Sequence, residues 1–340
     1  MTETGIVVDP RYLDHDTGRG HPERRERIAV LLQMLGEQRD RFHAIAPRAA
    51  TGEELALVHD GAFVEDVAKT QHLAHFAFDA DTPVSPQSYQ TACLAAGGFL
   101  ALLDAIMAGS VHNGFAFVRP PGHHAERTRA MGFCIFNNVA IGAEYLRRVH
   151  GLSRVLVMDW DLHHGNGTQH MFERDPGVLY VSTHQYPFYP GTGAMDECGR
   201  SEGEGFTVNI PFPAGCADAE FAEAFTTVIE PIAHQFEPEF VLISAGFDAH
   251  ARDPLGGLAV TEAGFDLMTR SLLDIARRYA KGRCAAILEG GYDLTAIRNS
   301  SATVLDELGA GGGEIHSAPA SRATAILEHV RKIQGRYWKW

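Results

Sequence analysis

The chain alternates short apolar runs with longer amphipathic segments, and this alternation constrains the fold more than any other feature. The runs are too short for helices and rich in β-branched residues, which is typical of strands buried on both faces of a sheet. Strands separated by helices predict an α/β fold, a mostly parallel sheet with helices on both faces. The predicted strands are Gly5–Asp9, Gly114–Val118, Arg154–Asp159, Val178–Ser182, Thr207–Pro211, Phe240–Ser244 and Cys284–Leu288. The predicted helices are His21–Gln38, Ser88–Ala108, Phe136–His150, Asp218–His234, Glu262–Tyr279 and Ser321–Gln334.

Composition excludes several classes of protein. Hydrophobic residues make up 45% and charged residues 21% of the chain, which fits a large buried core. The net charge of −14 disfavours a nucleic-acid partner and is compatible with a cationic substrate. Five cysteines without a CxxC pair, and an N-terminus without an export signal, predict a cytoplasmic protein. We also expect no membrane partner, because we expect no run of the sequence to approach the ~20 apolar residues of a membrane span.

Four polar clusters follow predicted strands directly. Ligands of open α/β sheets bind beyond the carboxyl ends of the strands, so these clusters are the first candidates for a site. Any one of these residues alone is better explained as a helix cap or turn residue. Four such strand ends in one chain are poorly explained that way, and no linker separates them, so we expect one domain over residues 1–340. The clusters are Arg119–His124, Asp159–Gly167, Ser244–Asp248 and Glu289–Asp293.

The second cluster has the pattern of a metal site. Asp159, Asp161 and His163 share parity, so an extended backbone would project their side chains to one side. Asp161 and His163 could supply one oxygen and one nitrogen, and Asp248 from another strand end a second oxygen. Such a set leaves a position for water, as catalytic zinc requires, but it also suits Fe(II).

Two further groups could carry chemistry. His123 and His124 follow Pro-Pro-Gly, which suggests two imidazoles delivered to one cavity. Tyr292 follows two glycines and could donate a hydrogen bond to a developing oxyanion. Phe133 and Tyr189 stand beside glycines and fit either the walls of a narrow channel or ordinary core packing.

These motifs, taken together and in order, resemble the histone deacetylase family, which includes bacterial acetylpolyamine amidohydrolases and acetoin-utilisation-type proteins. The resemblance implies the arginase/deacetylase fold, with an eight-stranded parallel sheet in a single catalytic domain. It covers most of the chain. The matching segments are Gly20–Arg24, Arg119–His124, Met131–Asn138, Asp159–Thr168, Pro190–Gly193, Gly246–Asp248 and Glu289–Tyr292.

The resemblance also implies roles at matching positions. Zinc would be bound by Asp161, His163 and Asp248. His124 would act as general base and then acid, His123 as its electrostatic partner, and Tyr292 as the oxyanion donor. Asp159 and Asn166 would orient the two histidines. A carboxylate on His123 favours imidazolium, whereas an amide on His124 leaves that ring closer to neutral. The Asn at 166 resembles the class II branch of the family.

Other implied positions concern the substrate tunnel and a second ion. Phe133 and Tyr189 would line the tunnel, and the Gly132 carbonyl would accept the amide N–H of the substrate. Tyr189 stands where many relatives have Phe, which predicts a more polar channel mouth. A structural potassium ion is implied beside four residues. They are Asp159, Asp161, His163 and Ser182.

The substrate stays open between two classes of acetylated amine. Leu255 follows Asp248 by seven residues, where the polyamine deacetylase of the class II branch has a gatekeeper Glu, and this favours acetyl-lysine in a peptide or protein. The acidic balance of the chain favours the alternative, an acetylated polyamine. A non-catalytic binding protein is a third hypothesis, which Tyr292 opposes. A homo-oligomer is possible.

Overall fold

The computed structural model describes residues 3–313 and 319–340, and within them eight parallel strands form one sheet. The order across this sheet is β2-β1-β5-β10-β9-β6-β7-β8, and β3 and β4 form a separate antiparallel hairpin. The strands are β1 (Thr4–Val7), β2 (His43–Ala44), β3 (Phe76–Ala77), β4 (Pro83–Val84), β5 (Asn113–Ala116), β6 (Val155–Asp159), β7 (Val178–Gln185), β8 (Thr207–Phe212), β9 (Phe240–Ala245) and β10 (Cys284–Leu288).

All seven predicted strands are present, because each is an apolar run that the sheet buries completely. β6, for example, is buried at every residue. The eighth strand, β2, was not predicted: its two residues are exposed and carry no apolar signal. β6 lies between β9 and β7, and Asp159 at its end pairs with Ser182 and Ser244. This register brings the polar residues that follow β6 and β9 to one edge of the sheet.

Helices cover both faces of the sheet, as predicted. α4 and α5 pack on each other and on one face, whereas α9 and α10 pack together and contact several of the same strands from the other, with α1 packed on α10. The helices are α1 (Glu26–Glu37), α2 (Gly52–Leu55), α3 (Gly61–Lys69), α4 (Ser88–Met107), α5 (Asn138–Arg148), α6 (Asn166–Phe172), α7 (Asp218–Ala224), α8 (Glu230–Phe236), α9 (Glu262–Tyr279), α10 (Leu294–Ala310) and α11 (Thr324–Gln334).

Helix α4 corrects the expectation that no segment has the length and hydropathy of a membrane span. It has 20 residues and a mean hydropathy of 1.5 over its most apolar stretch, and it meets that criterion by length and composition. The helix is 72% buried over this stretch, against the sheet and α5. An all-round apolar helix is what a position inside the core requires.

Two predicted helices differ clearly from the observed ones. α1 begins at Glu26 rather than His21, because the Glu23 carbonyl accepts bonds from the Thr17 hydroxyl and the Arg119 guanidinium instead of helical amides. The predicted helix Asp218–His234 is α7 and α8 joined by a π-helical turn, Phe225–Ile229. This turn directly precedes α8, where Pro231 lacks the amide hydrogen that a regular ladder needs.

Candidate metal centre and catalytic site

Three metal-ligating side chains converge beyond the carboxyl ends of β6 and β9. Asp161 and His163 follow β6, Asp248 follows β9, and one donor atom from each lies within 4.8 Å of the others. His163 Nδ1 is 3.2 Å from a carboxylate oxygen of Asp161 and 3.1 Å from one of Asp248. Ligand atoms about 2.1 Å from a tetrahedral ion lie about 3.4 Å apart. The separations therefore fit a single small divalent cation.

Backbone amides and a glycine shape this cluster. The Gly290 N–H donates to Asp161 Oδ2, and the Leu162 N–H donates to Asp248 Oδ1, each at 2.8 Å. Each carboxylate therefore keeps one oxygen directed at His163. A Cβ on Gly290 would lie 2.2 Å from Asp248 Oδ2 and 2.6 Å from Asp161 Oδ2. Only glycine allows the backbone to approach the two carboxylates this closely.

The electrostatics of the cluster favour a positive charge at its centre. Asp161 and Asp248 are fully buried. Burial opposes the charged form of His163, but hydrogen bonds and charge from both carboxylates raise its pKa to about 10. The proton that His163 holds between the carboxylates lies where a cation would be ligated. The donor set, two carboxylates and one imidazole, suits a divalent cation such as zinc or Fe(II).

His123 is the charged member of the histidine pair. Its Nδ1 lies 3.0 Å from Asp159 Oδ2, which also accepts the Tyr180 hydroxyl at 3.1 Å. Burial disfavours the imidazolium, but the charges of Asp159 and Asp161 raise the pKa of His123 to about 10. The His123 and His124 rings lie 4.0 Å apart between centroids. His123 therefore presents a fixed positive charge to its neighbour.

His124 is the neutral member, and the structure fixes which nitrogen carries its hydrogen. The Asn166 amide nitrogen donates to Glu126 Oε1 at 2.6 Å, so Asn166 Oδ1 faces His124 Nδ1 at 2.8 Å. An amide oxygen only accepts, so Nδ1 carries the hydrogen and Nε2 keeps a lone pair. Burial and the charge of His123 lower the pKa of His124 well below its usual value. His124 is thus a neutral base with a defined tautomer.

Tyr292 is held by contacts to its backbone and its ring. Its N–H donates to Asp253 Oδ2 at 2.6 Å, and the Arg27 guanidinium lies 5.0 Å from the ring centroid. Arg27 also donates to the Gly291 carbonyl at 2.6 Å. Burial and the charge of Asp248 raise the pKa of Tyr292 well above its ordinary value. The phenol therefore stays protonated and can only act as a hydrogen-bond donor to an anion.

A cavity of about 260 Å³ brings the predicted site residues together. Gly132, Phe133, Tyr189 and Leu255 all line it, together with His123, His124, His163 and Tyr292. Of the two readings of Phe133 and Tyr189, the structure supports channel walls over core packing. The Tyr189 ring meets His124 edge-on at 5.1 Å, and Phe133 meets Tyr292 at 5.9 Å. The lining also contains residues to which the sequence assigned no role in the site, among them Phe188 and Asp81.

Ser182 lies beside Asp159 at the predicted potassium position. Its hydroxyl is 2.9 Å from His184 Nδ1, and His184 Nε2 is 2.9 Å from the Gly193 carbonyl. The carbonyl requires a hydrogen on Nε2, so neutral His184 accepts the Ser182 hydroxyl hydrogen at Nδ1. Burial lowers the pKa of His184 to about 4, which keeps the ring neutral. Ser182 can therefore offer oxygen lone pairs to a cation.

Several residues that support the site were missed. Glu289 accepts the N–H groups of Gly122 and His123 at 2.6 and 3.1 Å, which holds the backbone ahead of the two histidines. Glu289 directly follows β10 and belongs to the predicted polar cluster Glu289–Asp293, which was a signal for a role at the site. Arg27 and Asp253 gave no such signal, because their partners at Gly291 and Tyr292 are 264 and 39 residues away.

The comparisons with known proteins agree with this geometry. The crystal structure of the HDA15 HD domain matches with a TM-score of 0.93 and 40% identity, covering 99% of this chain and 96% of that one. The protein therefore has the arginase/deacetylase fold. A profile of the histone deacetylase domain matches residues 21–308. The chain belongs to the histone deacetylase family.

Named relatives come from several kingdoms. A probable deacetylase of Archaeoglobus fulgidus is 36% identical, covering 99% of both chains. Histone deacetylase 15 of Arabidopsis thaliana is 42% identical, and polyamine deacetylase HDAC10 of Homo sapiens is 41% identical. The match covers 99% and 93% of this chain, but only 63% and 49% of those two proteins. These relatives support a deacetylase, an enzyme that hydrolyses an amide bond.

Proposed function

We propose that this protein is a zinc-dependent amidohydrolase that removes acetyl groups from lysine side chains. One observation carries the proposal. His163 of the ligand triad, the neutral base His124 and the protonated Tyr292 line one narrow cavity, and the donor atoms of Asp161 and Asp248 lie within 4.8 Å of that of His163. A non-catalytic binding protein would not need a base of fixed tautomer and a donor aimed at the same point.

The residues fit a catalytic zinc ion, which Asp161, His163 and Asp248 would hold. When bound, zinc polarises an acyl carbonyl and lowers the pKa of water. Fe(II) is the alternative metal, because two carboxylates and one imidazole also suit it. We also propose a structural potassium ion near Asp159 and Ser182, with Asp161 and His163 contributing to the same site. The orientation of the Ser182 hydroxyl supports this second ion.

His124 supplies proton transfer in this mechanism. Its Nε2 lone pair accepts the proton of the attacking water, since Nδ1–H is committed to Asn166. The proton then passes from Nε2 to the departing amine. The positive charge of His123, fixed by Asp159, stabilises the negative charge that builds up on the oxygen atoms bonded to the reacting carbon. His123 acts as an electrostatic partner rather than as the base, because its raised pKa keeps it protonated.

Tyr292 stabilises the developing oxyanion by donating its hydroxyl hydrogen. Removing one such donor costs about 3 kcal/mol in comparable sites. Gly132 has a positive φ of 57°, and Phe133 follows with 68°. This turn brings both residues to the channel wall, where the Gly132 carbonyl would accept the amide N–H of the substrate.

Two observations bear on the substrate. Leu255 lines the channel at the position where a gatekeeper Glu would favour a polyamine. Its apolar side chain favours an acetyl-lysine side chain instead. The relative named as a polyamine deacetylase keeps the second candidate open. Asp81, an acidic residue in the cavity lining, would suit the remote ammonium group of such a substrate.

The test is a substrate panel with the purified protein loaded with zinc. We expect hydroxamate-sensitive acetate release from acetyl-lysine peptides to exceed release from acetylputrescine and acetylspermidine in kcat/KM. Faster turnover of the polyamines would replace the lysine assignment by the second candidate. Absence of acetate release from all three would contradict the enzyme assignment.

We further propose that the protein works as one catalytic domain in the cytoplasm. All five cysteines are buried and free, which suits a reducing compartment.

A further inference from the structure

A second cavity, of about 520 Å³, lies beside the catalytic channel, and we call it the side groove. Aromatic and aliphatic side chains dominate its wall. Phe78 contacts Phe76 and Phe63, with ring centroids 5.1 and 6.4 Å apart. Leu73 and Phe76 are 43% and 41% exposed, although both are large and apolar. The groove therefore offers solvent-facing apolar surface that the described part of the chain does not cover.

The side groove and the catalytic channel share two chain segments. In the first, Phe76 and Phe78 line the groove, and Asp81 lines the channel. In the second, residues 128–130 line the groove, and residues 132–134 line the channel. The Phe133 N–H donates to the Thr82 hydroxyl at 3.2 Å, which joins the two segments. The groove and the channel are thus built on the same two segments and lie next to each other.

The distance between the catalytic channel and the side groove suits a polypeptide substrate. Ala130 in the groove and Gly132 in the channel are two residues apart, so their Cα atoms lie within about 7.6 Å. An extended peptide advances about 3.3 Å per residue. A side chain roughly two to four residues from an acetyl-lysine in the channel therefore reaches the groove.

The chemistry of the groove selects for apolar groups. Each charged residue that lines it has an ion-pair partner. Lys69 and Asp66 pair with each other at 2.7 Å, and Arg129 pairs at 4.0 Å with Asp79, which lies outside the groove lining. The lining therefore offers little unpaired charge to a ligand. Exposed apolar surface of this kind marks interaction sites on soluble proteins. Tyr189 in the channel lining is a further exposed aromatic residue, with 37% of its surface accessible.

We propose that the side groove is a substrate subsite that binds a large apolar side chain of an acetylated polypeptide. The side chain, of the Leu, Met or Phe type, lies two to four residues from the acetyl-lysine. The subsite rests on the proposed lysine deacetylase function and narrows its substrate to polypeptides. A polyamine carries ammonium groups along a flexible chain and has no bulky apolar branch to fill an aromatic groove.

The test compares acetyl-lysine peptides that carry Phe or Ser at each position from two to four residues on either side. We expect kcat/KM for the best Phe peptide to exceed that of its Ser partner by about tenfold, as partial burial of a phenyl ring implies. In Phe76→Ser and Leu73→Ser this ratio falls towards one. The matched control is Val149→Ser, which removes an apolar side chain that is 58% exposed next to the C-terminal end of α5. It should leave the ratio unchanged.

Melting temperatures of the three variants show whether each retains its fold. Both groove positions are tested because one variant can fail to fold while the other stays folded. Equal rates for Phe and Ser peptides in the parent protein would overturn the subsite and leave the deacetylase function standing. A preference for Phe that survives in both groove variants would also overturn it. Turnover of acetylspermidine without turnover of any peptide would overturn the lysine deacetylase function as well.

Discussion

The substitution Asn166→Asp tests how the site keeps His124 neutral. Asn166 Oδ1 lies 2.8 Å from His124 Nδ1, and the amide nitrogen lies 2.6 Å from the Glu126 carboxylate. An aspartate at 166 replaces a neutral acceptor by a charged one with almost no change of shape. Aspartate has no amide group to donate to Glu126, so the substitution also places two carboxylates next to each other.

The size of the effect follows from these distances. A unit negative charge at 2.8 Å attracts a protonated His124 by about 6 kcal/mol at an effective dielectric constant of about 20. Repulsion from Glu126 removes part of this, since the two carboxylates share a proton more readily than both ionise. We expect the pKa of His124 to rise by about one to three units, the usual range for a neighbouring opposite charge.

The assay is the pH dependence of kcat/KM for an acetyl-lysine peptide. The neutral form of His124 is the active one, so a raised pKa keeps the inactive imidazolium present to higher pH. The acidic limb of the profile should therefore move to higher pH in Asn166→Asp. It should move further in Asn166→Asp with Glu126→Gln, because the competing carboxylate is gone. Glu126→Gln alone should move it little, since glutamine can still accept from Asn166.

An acidic limb that stays in place in both variants that carry Asn166→Asp, with melting temperatures unchanged, would refute the reasoning. His124 would then not be the group whose neutral form the reaction requires.

Three further predictions follow from single contacts. Tyr292→Phe should lower kcat by a hundredfold or more, about 3 kcal/mol, because it removes the oxyanion donor and keeps the ring; acetate release measures this, and an unchanged kcat would contradict the role. Gly193→Ala should lower the melting temperature and raise KM, because φ is +89° and a Cβ would lie 2.5 Å from His184 Nε2; a variant with both values unchanged would contradict this. His59 is buried with its pKa lowered to about 4. As the pH falls from 7 to 5, His59 takes up a proton in the unfolded chain but not in the folded one. The free energy of unfolding should therefore fall by about 2 kcal/mol over this range. Urea titrations of His59→Gln should show a weaker pH dependence than the parent, and an equal dependence would count against it.

The sheet and the metal ligands could be predicted because both depend on local patterns. β6 is a continuous apolar run, and the ligands Asp161 and His163 follow within four residues of its end. Asp248 follows β9 in the same way. The parallel pairing of β6 with β9 then brings these residues to one edge of the sheet, whatever the details of the loops.

The supporting contacts could not be predicted because they join distant parts of the chain. Arg27 reaches Gly291 over 264 residues, and nothing local in the sequence specifies that pairing. Glu126 follows His124 closely, but its role depends on where α6 places Asn166. Helix α10 was missed because its middle carries Asn, Ser and Thr, which are weak helix formers, and packing against α1 and α9 stabilises it instead.

Metal content is the most direct test of the central claim that Asp161, His163 and Asp248 hold one catalytic cation. Elemental mass spectrometry of the purified protein should find about one zinc per chain, and Asp248→Asn should lose it while α-helical circular dichroism is retained. Leu255→Ala, a change in the channel wall away from the ligands, should keep the metal. A folded Asp248→Asn variant that still binds zinc at the parent stoichiometry would contradict the account.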